Sequence, residues 1–233
     1  MKRIDNTSII IPLMKTQKLF TEDAYQKECD ATVVDILPDE EGIKRIVVLD
    51  QTVFYALSGG QPGDTGMINE ERVIDTRYAN DEKLLIYHYL EEPTQLKNGD
   101  QVHCQINWDR RYRNMRLHSL VHIAGLLFTE KYGEQKCIGS NISDKGRIDY
   151  EFHDPIDFDW LNQETQRLID EDHEITTSGD PDDEVLRIWE MEPLGTMPCG
   201  GTHPAKSGEI GKIRLKRKGL SSQGQRIYCM LEE

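Results

Sequence analysis

The sequence predicts an α+β fold: a small β-barrel-like unit first, then a unit in which helices pack on an antiparallel sheet. Two observations carry this. Through the first hundred residues, β-branched runs alternate with turn signals about every ten residues. From Tyr112 onward the apolar spacing becomes helical, and a second helical stretch follows among further strand-like runs. The pattern changes near residues 96–110, which divides the chain into a β-rich part, 1–100, and an α+β part, 101–233.

The elements follow in order. The start, "MKRIDNTSIIIPLMKTQ", has only Ile9, Ile10 and Ile11 as an apolar run before Pro12, and no small-residue cleavage site, so a signal peptide is not expected. "KLFTEDAYQKE" predicts a short piece. "KECDATVVDIL" and "KRIVVLD" are β-branched runs parted by the turn-like "PDEEG". "VFYAL" follows, then the glycine-rich "SGGQPGDTG" from Ser58 to Gly66. "MINEERVIDTRYA", "KLLIYHYL" and "NGDQVHCQINWDRR" complete the β-rich part. In "YRNMRLHSLVHIAGLLFTEKYG", Met115, Leu120, Val121, Ala124, Leu127 and Phe128 recur at helical spacing, and Gly133 stands where a C-cap belongs. "RIDYEF" reads as a strand. Asp157 can cap a second helix whose Leu161, Thr165, Leu168 and Ile169 share one face. "EVLRIWEM", "EIGKIRLKRKG" and "QRIYCMLEE" read as strands.

Composition narrows the class. With 233 residues, 37% hydrophobic and 30% charged, the chain can bury a core and is not of the disordered type. Its apolar runs fall short of a membrane span, so no membrane partner is expected. Five cysteines, widely spaced and without C-x-x-C, do not make a secreted disulfide framework. A reducing cytoplasm is expected, with the thiols as buried hydrophobes or metal ligands. The net charge of −14 argues against whole-surface binding of nucleic acid. Two basic islands stand out against it: Arg110, Arg111, Arg113 and Arg116, and Lys212, Arg214, Lys216, Arg217 and Lys218. They are candidate phosphate contacts or solvated element ends.

The chemistry concentrates in two pairs. His118 and His122 stand at i and i+4 on the long predicted helix, which places both rings on one face within reach of one ion. Cys199 and His203 make a C-x-x-x-H in the segment "MPCGGTHPAKSGEIG". Either pair alone is weak. Together they supply three nitrogen donors and one sulfur, a set that Zn2+ takes tetrahedrally. Gly200 and Gly201 permit a sharp turn between two ligands and leave N–H groups to face a carbonyl oxygen. A β-turn beside an unrelated cysteine is the bland alternative. His88 reads as a partly exposed strand residue, His103 lies on another strand, and His153 and His173 read as surface groups.

"RNMRLHSLVHIAGLL" with "PCGGTHPAKSGEIGKIRLKRKG" resembles the AlaX family of free-standing alanyl-tRNA editing proteins, relatives of the editing domain of alanyl-tRNA synthetase. "FYALSGGQPGDTG" looks like the family's glycine-rich motif, and "RIDYEF", "LRIWEM" and "QRIYCML" match its strands. The resemblance covers nearly the whole chain and fits the medium-length type. It implies a trans-editing hydrolase that cuts the ester joining a wrong serine or glycine to the terminal ribose of tRNA-Ala. It also implies His118, His122, Cys199 and His203 as zinc ligands. Two positions depart from common family wording: Ser119, often threonine, and Ser-Gly-Gly-Gln, where some relatives have three glycines.

Ester hydrolysis needs an activated water and a stabilised oxyanion, which zinc with an open position can supply, whereas four fixed protein ligands make a structural ion. The sequence leaves both arrangements open. The candidate catalytic residues are Gln61, Ser119, Gly200, Gly201 and Thr202, with Gln61 reaching the substrate from the second wall and Ser119 facing a serine hydroxyl. The expected partner is the acceptor end of tRNA-Ala carrying a wrong amino acid, touched by the two basic islands. A non-catalytic RNA-binding module with a structural zinc, and an editor of another tRNA such as tRNA-Thr, stay open as alternatives.

Overall fold

The computed structural model describes residues 15–180, 183–220 and 224–232. The N-terminal run at 9–12, on which the absence of a signal peptide was argued, lies outside the described residues. After a two-residue strand β1 (Gln17–Lys18), the chain forms β2 (Glu28–Pro38), β3 (Lys44–Leu49), β4 (Gln51–Thr52), β5 (Gly66–Ile68), β6 (Glu71–Tyr78), β7 (Ile86–Leu90) and β8 (Gln101–Ile106). Six of these close a barrel in the order β2-β3-β7-β6-β5-β8, every pairing antiparallel. Closure removes the exposed edges that an open sheet would carry. In β8, Val102, Cys104 and Ile106 are buried while Gln101, His103 and Gln105 are exposed, the period-two alternation of a wall with a filled interior.

The stretch "VFYAL", in the part that reads as mostly β, forms no regular strand over residues 53–56. Val53, Phe54, Tyr55 and Ala56 are fully buried, yet side chains satisfy much of their backbone: Tyr55 N donates to Asp64 Oδ2 at 2.8 Å and Val53 O accepts from Arg111 at 2.6 Å. His88 is also a correction. It is fully buried, because β7 turns it inward, where Nδ1 lies 3.0 Å from Val47 O and Nε2 lies 2.9 Å from Thr52 Oγ1.

Helix α1 (Trp108–Tyr132) begins before the predicted start because Asn107 caps it, accepting from Arg110 N at 3.1 Å. Gly133, at φ +74°, ends it, its N–H bonded to Thr129 O at 2.8 Å. The helix runs through the core: Leu117, Leu120, Ile123, Ala124 and Phe128 are fully buried, and burying each large one contributes about 1.5–3 kcal/mol. Strands β9 (Cys137–Ile142) and β10 (Gly146–Tyr150) follow, then α2 (Phe158–Asp170), capped by Asp157 and burying Leu161, Thr165, Leu168 and Ile169 as its spacing predicts. The remaining strands are β11 (Ile175–Asp180), β12 (Asp183–Met191), β13 (Gly195–Pro198), β14 (Ile213–Gly219) and β15 (Gln225–Leu231).

The second part therefore holds two antiparallel sheets where one was expected: β14-β15-β10-β9, and β11-β12-β13. Both helices share one core with Ile148, Tyr150, Leu215 and Ile227 from the four-stranded sheet and Trp189 and Met191 from the three-stranded one. A mixed α+β fold results. Among the described residues, no helix is long and apolar enough to cross a membrane.

Candidate metal centre

α1 carries His118 and His122 one turn apart, with ring centroids 4.6 Å from each other. The segment after β13 brings Cys199 and His203 against them: the His203 ring lies 4.4 Å from His118 and 5.0 Å from His122. Cys199 Sγ lies 3.4 Å from His118 Nε2 and 3.3 Å from His203 Nε2. One donor atom from each of the four residues falls within 4.8 Å of all the others.

The surroundings orient these donors. Gln61, from the barrel's glycine-rich loop, is fully buried, and its Oε1 lies 2.9 Å from His118 Nδ1 while accepting from Thr202 N at 3.1 Å. Gln61 Nε2 donates to Thr202 Oγ1 at 2.8 Å. An amide oxygen can only accept, so His118 carries its proton on Nδ1 and turns a lone pair at Nε2 toward the cluster. Ser119 Oγ lies 2.9 Å from His203 Nδ1, which leaves His203 Nε2 facing Cys199. Burial pushes His118 down to about 4 and holds His122 and His203 well below the ordinary imidazole range, with the neighbouring histidines adding to the shift in both. All three rings are thus neutral near pH 7, the form that offers a lone pair. Burial pushes the Cys199 thiol up, opposed by the Gly201 N–H and the Arg187 charge.

The donor set fits a zinc ion. Three imidazoles and one sulfur converge, and His122 Nε2 is buried with no hydrogen-bond partner. Such an orphan costs stability unless something accepts its lone pair, and a soft-to-borderline divalent cation does so. Gly201 is required by close approach: a Cβ there would overlap the His118 ring. At Gly200 a Cβ would meet nothing.

Two cavities flank the cluster. One, of about 180 Å³, is lined largely by apolar groups, including Val121, Ile142, Ile148, Tyr150 and Met197, with His118 and His122 in its wall. The other, of about 320 Å³, is more open and is lined by Ser58, Lys83, Arg187, Cys199, Gly200 and Gly201 among others, again with His118. Lys83 and Arg187 went unnoticed in the sequence. Lys83 reaches Ser58 Oγ at 3.1 Å, and Arg187 is pinned by Thr177 Oγ1 at 2.8 Å and Gly201 O at 3.3 Å. Each is a lone cation in its stretch, so no clustering marked it.

The other candidates are placed as follows. Ser119 is fully buried with its hydroxyl engaged by His203, and Thr202 is buried with its hydroxyl engaged by Gln61. The Gly201 N–H points to Cys199 Sγ at 3.4 Å, and Gly200 is exposed on the open cavity. In the helix island, Arg111 is fully buried in an ion pair with Asp64 and also donates to Ala24 O and Val53 O, so it is not available to a phosphate. Arg110 donates to Gly63 O, Arg113 to Ser143 O and Asp144 O, and Arg116 to Ile210 O. In the strand island, Arg214, Lys216, Arg217 and Lys218 are exposed along β14, and exposed Lys212 precedes it.

Known proteins share this arrangement of sequence. The family described as tRNA synthetases class II (A) matches residues 6–110, the barrel and the start of α1. The chain is 35% identical over 223 residues to the alanyl-tRNA editing protein AlaX-M of Pyrococcus horikoshii, covering 93% of this chain and 98% of that one. It belongs to the AlaX family of alanyl-tRNA editing proteins. Alanine–tRNA ligases are similar over a segment: that of Saccharolobus islandicus is 30% identical over 91% of this chain but 26% of the ligase, and that of Methanococcus maripaludis is 30% identical over 93% and 26%. This AlaX chain thus matches an editing protein over nearly all of both lengths and the ligases over about a quarter of theirs.

Proposed function

We propose that the protein is a trans-editing hydrolase that removes a wrong amino acid, serine or glycine, from the 3′ end of tRNA-Ala. The observation that carries this is the convergence of His118, His122, Cys199 and His203 in a chain of this family, between two cavities that both border His118. Those four residues would hold zinc. When bound, the ion supplies a Lewis acid to the ester carbonyl.

The chain's own groups bind and orient. Gln61 and Ser119 are positioning residues: Gln61 fixes the tautomer of His118, and Ser119 holds the ring of His203 in place. Thr202 locks Gln61 in place, so the barrel loop and the Cys199–His203 segment act as one wall. Lys83 and Arg187 put positive charge in the open cavity, which suits the sugar-phosphate end of an RNA. The smaller cavity, apolar and more enclosed, excludes water from one side of the ester. The barrel, ending with β8, is the N-terminal unit of this design, and the remainder is the editing unit.

The test is incubation of the purified protein with Ser-tRNA-Ala and Ala-tRNA-Ala. Release of serine from the first and not of alanine from the second is expected. Tight tRNA binding with no release of either amino acid would replace the hydrolase with an RNA-binding module.

A further inference from the structure

In a chain of net charge −14, one face of the four-stranded sheet gathers six cations. Strand alternation sorts the residues. Ile148, Leu215, Ile227 and Cys229 point inward and are buried against the helices. Their neighbours in sequence point outward. Across the sheet, Tyr228 stands opposite both Arg147 and Lys216, and Arg226 stands opposite both Asp149 and Lys218. Arg214 continues the row on β14, opposite Met230. Lys145, in the turn before β10, places Nζ 3.9 Å from the centroid of the Tyr228 ring.

Among the described residues, two carboxylates pair with these cations. Asp149 bridges Arg147 and Arg226, and Glu232 pairs with Arg214 at 2.8 Å at the strand end. Among the described residues, no carboxylate lies within salt-bridge distance of Lys145, Lys216 or Lys218. The Arg226 hydrogen bond, with the charges of Lys218, Arg226 and Lys145, pulls the Tyr228 phenol below its ordinary range. Like charges directly across a ladder, such as Lys218 and Arg226, cost stability. A polyanion laid on the face removes that cost.

The face also bears a definite relation to the candidate metal centre. Ile148 and Tyr150, on the inward side of β10, line the smaller cavity beside His118 and His122. The outward side of the same strand carries Arg147. The edge strand β9 also lines that cavity with Ser140 and Ile142, and its Ile142 N–H donates to Gly60 O of the glycine-rich loop at 2.8 Å. By contrast, the arginines at the start of α1 are occupied in holding the barrel, the hairpin turn and Ile210.

We propose that this sheet face, centred on Tyr228 and its ring of lysines and arginines, docks the phosphodiester backbone of the tRNA acceptor stem, so that the single-stranded end passes β9 toward His118, which borders both cavities. The proposal rests on the reading of the ester site as one that acts on tRNA. Residues two apart on a strand are about 7 Å from each other and neighbouring strands about 5 Å, so the cations form a grid that can follow a row of phosphates. The duplex is read by shape and charge, which suits a flat face without base-reading groups.

The test measures binding of uncharged tRNA by fluorescence anisotropy across a salt series. The variant is Lys145→Ala/Lys216→Ala/Lys218→Ala, and the control is Lys44→Ala/Lys97→Ala, two exposed lysines of the barrel part. Each lost phosphate contact flattens the slope of log affinity against log salt by roughly 0.7–0.9, so the triple variant is expected to lose about 2 of slope and tenfold or more in affinity at low salt. The control is expected to bind as wild type does. The matching Lys→Arg triple variant is expected to restore binding, which separates lost charge from a disturbed fold. Unchanged affinity and slope in the triple variant, or an equal loss in the control, would overturn the proposal. Hydrolysis of 3′-O-seryl adenosine by the wild-type protein is measured separately and reports on the ester site alone. Its absence would sink the ester reading while the anisotropy still decides the sheet face.

Discussion

Gln61 Oε1 lies 2.9 Å from His118 Nδ1, so a residue of the barrel's glycine-rich loop orients a donor of the helix that follows the barrel. The same oxygen accepts from Thr202 N, three residues after Cys199 in the other half of the cluster. Partners of this kind typically hold 10–100-fold in metal affinity. Gln61→Ala is expected to weaken zinc binding by roughly that factor, read by chelator competition, and to lower the proposed seryl-tRNA hydrolysis with it. Gln61→Glu keeps an acceptor for His118 and is expected to fall between the two. Wild-type zinc affinity in Gln61→Ala would remove the residue from this role.

The two glycines beside Cys199 separate cleanly. Gly201→Ala forces a methyl into the His118 ring, an overlap that typically costs about 1–3 kcal/mol and here also displaces a donor. Gly200→Ala meets open space. The first variant is expected to bind zinc substoichiometrically and to melt earlier, and the second to match wild type in both. Metal content per chain and a thermal melt check this. Equal behaviour of the two would mean that the close approach to His118 is relaxed in solution.

Arg111 and Asp64 form an ion pair with no side-chain exposure on either partner. Removing one member of such a pair leaves a buried charge uncompensated, at a typical cost of about 3–5 kcal/mol. Asp64 also accepts from Tyr55 N, and Arg111 also donates to Val53 O, so the pair holds the irregular "VFYAL" segment in place of a strand ladder. Asp64→Ala and Arg111→Met are each expected to lower stability by that order in urea unfolding. The double variant is expected to cost less than the sum, since neither partner then remains unpaired.

The convergence of His118, His122, Cys199 and His203 is legible because its signal is local: i, i+4 on a helix and C-x-x-x-H around two glycines. Helix α2 is legible through its Asp157 cap and the shared face of Leu161, Thr165, Leu168 and Ile169. By charge alone Arg111 reads as one of four candidate phosphate contacts, because its basic neighbours mask its place in the helical period. At 111, 115, 118 and 122 it shares the stripe that buries Met115, His118 and His122, a pattern already present in the sequence. Strands β9, β11 and β13 escaped notice because "CIGSNI", "ITTSGD" and "GTMP" are rich in turn-forming residues. All three lie at sheet edges, where pairing on one side suffices and side-chain packing selects less strongly. The cationic sheet face was half legible. The β14 island is contiguous in sequence, whereas Arg147 and Arg226 join it through register and Lys145 through its contact with the Tyr228 ring.

His88 sets a pH dependence of stability. Burial holds its imidazole down to about 4, against 6.5 for the ordinary group, and its two nitrogens are matched as in a neutral ring, with Nδ1 facing Val47 O and Nε2 facing the Thr52 hydroxyl. Below 6.5 the unfolded chain takes up a proton that the folded chain refuses, so the unfolded state gains as pH falls. The contribution of His88 to stability is therefore complete above about 6.5 and is lost progressively toward about 4. At about 1.4 kcal/mol per unit, the loss by pH 5 is on the order of 2 kcal/mol. His88→Gln, which retains polar reach but does not titrate, is expected to be less stable than wild type at pH 7 and to show a smaller further loss between pH 7 and 5. Urea unfolding of both proteins at the two values measures this. The difference between them cancels the carboxylates and the three histidines of the cluster, which titrate in both. Parallel pH profiles would show that a proton reaches His88 in the folded barrel without cost.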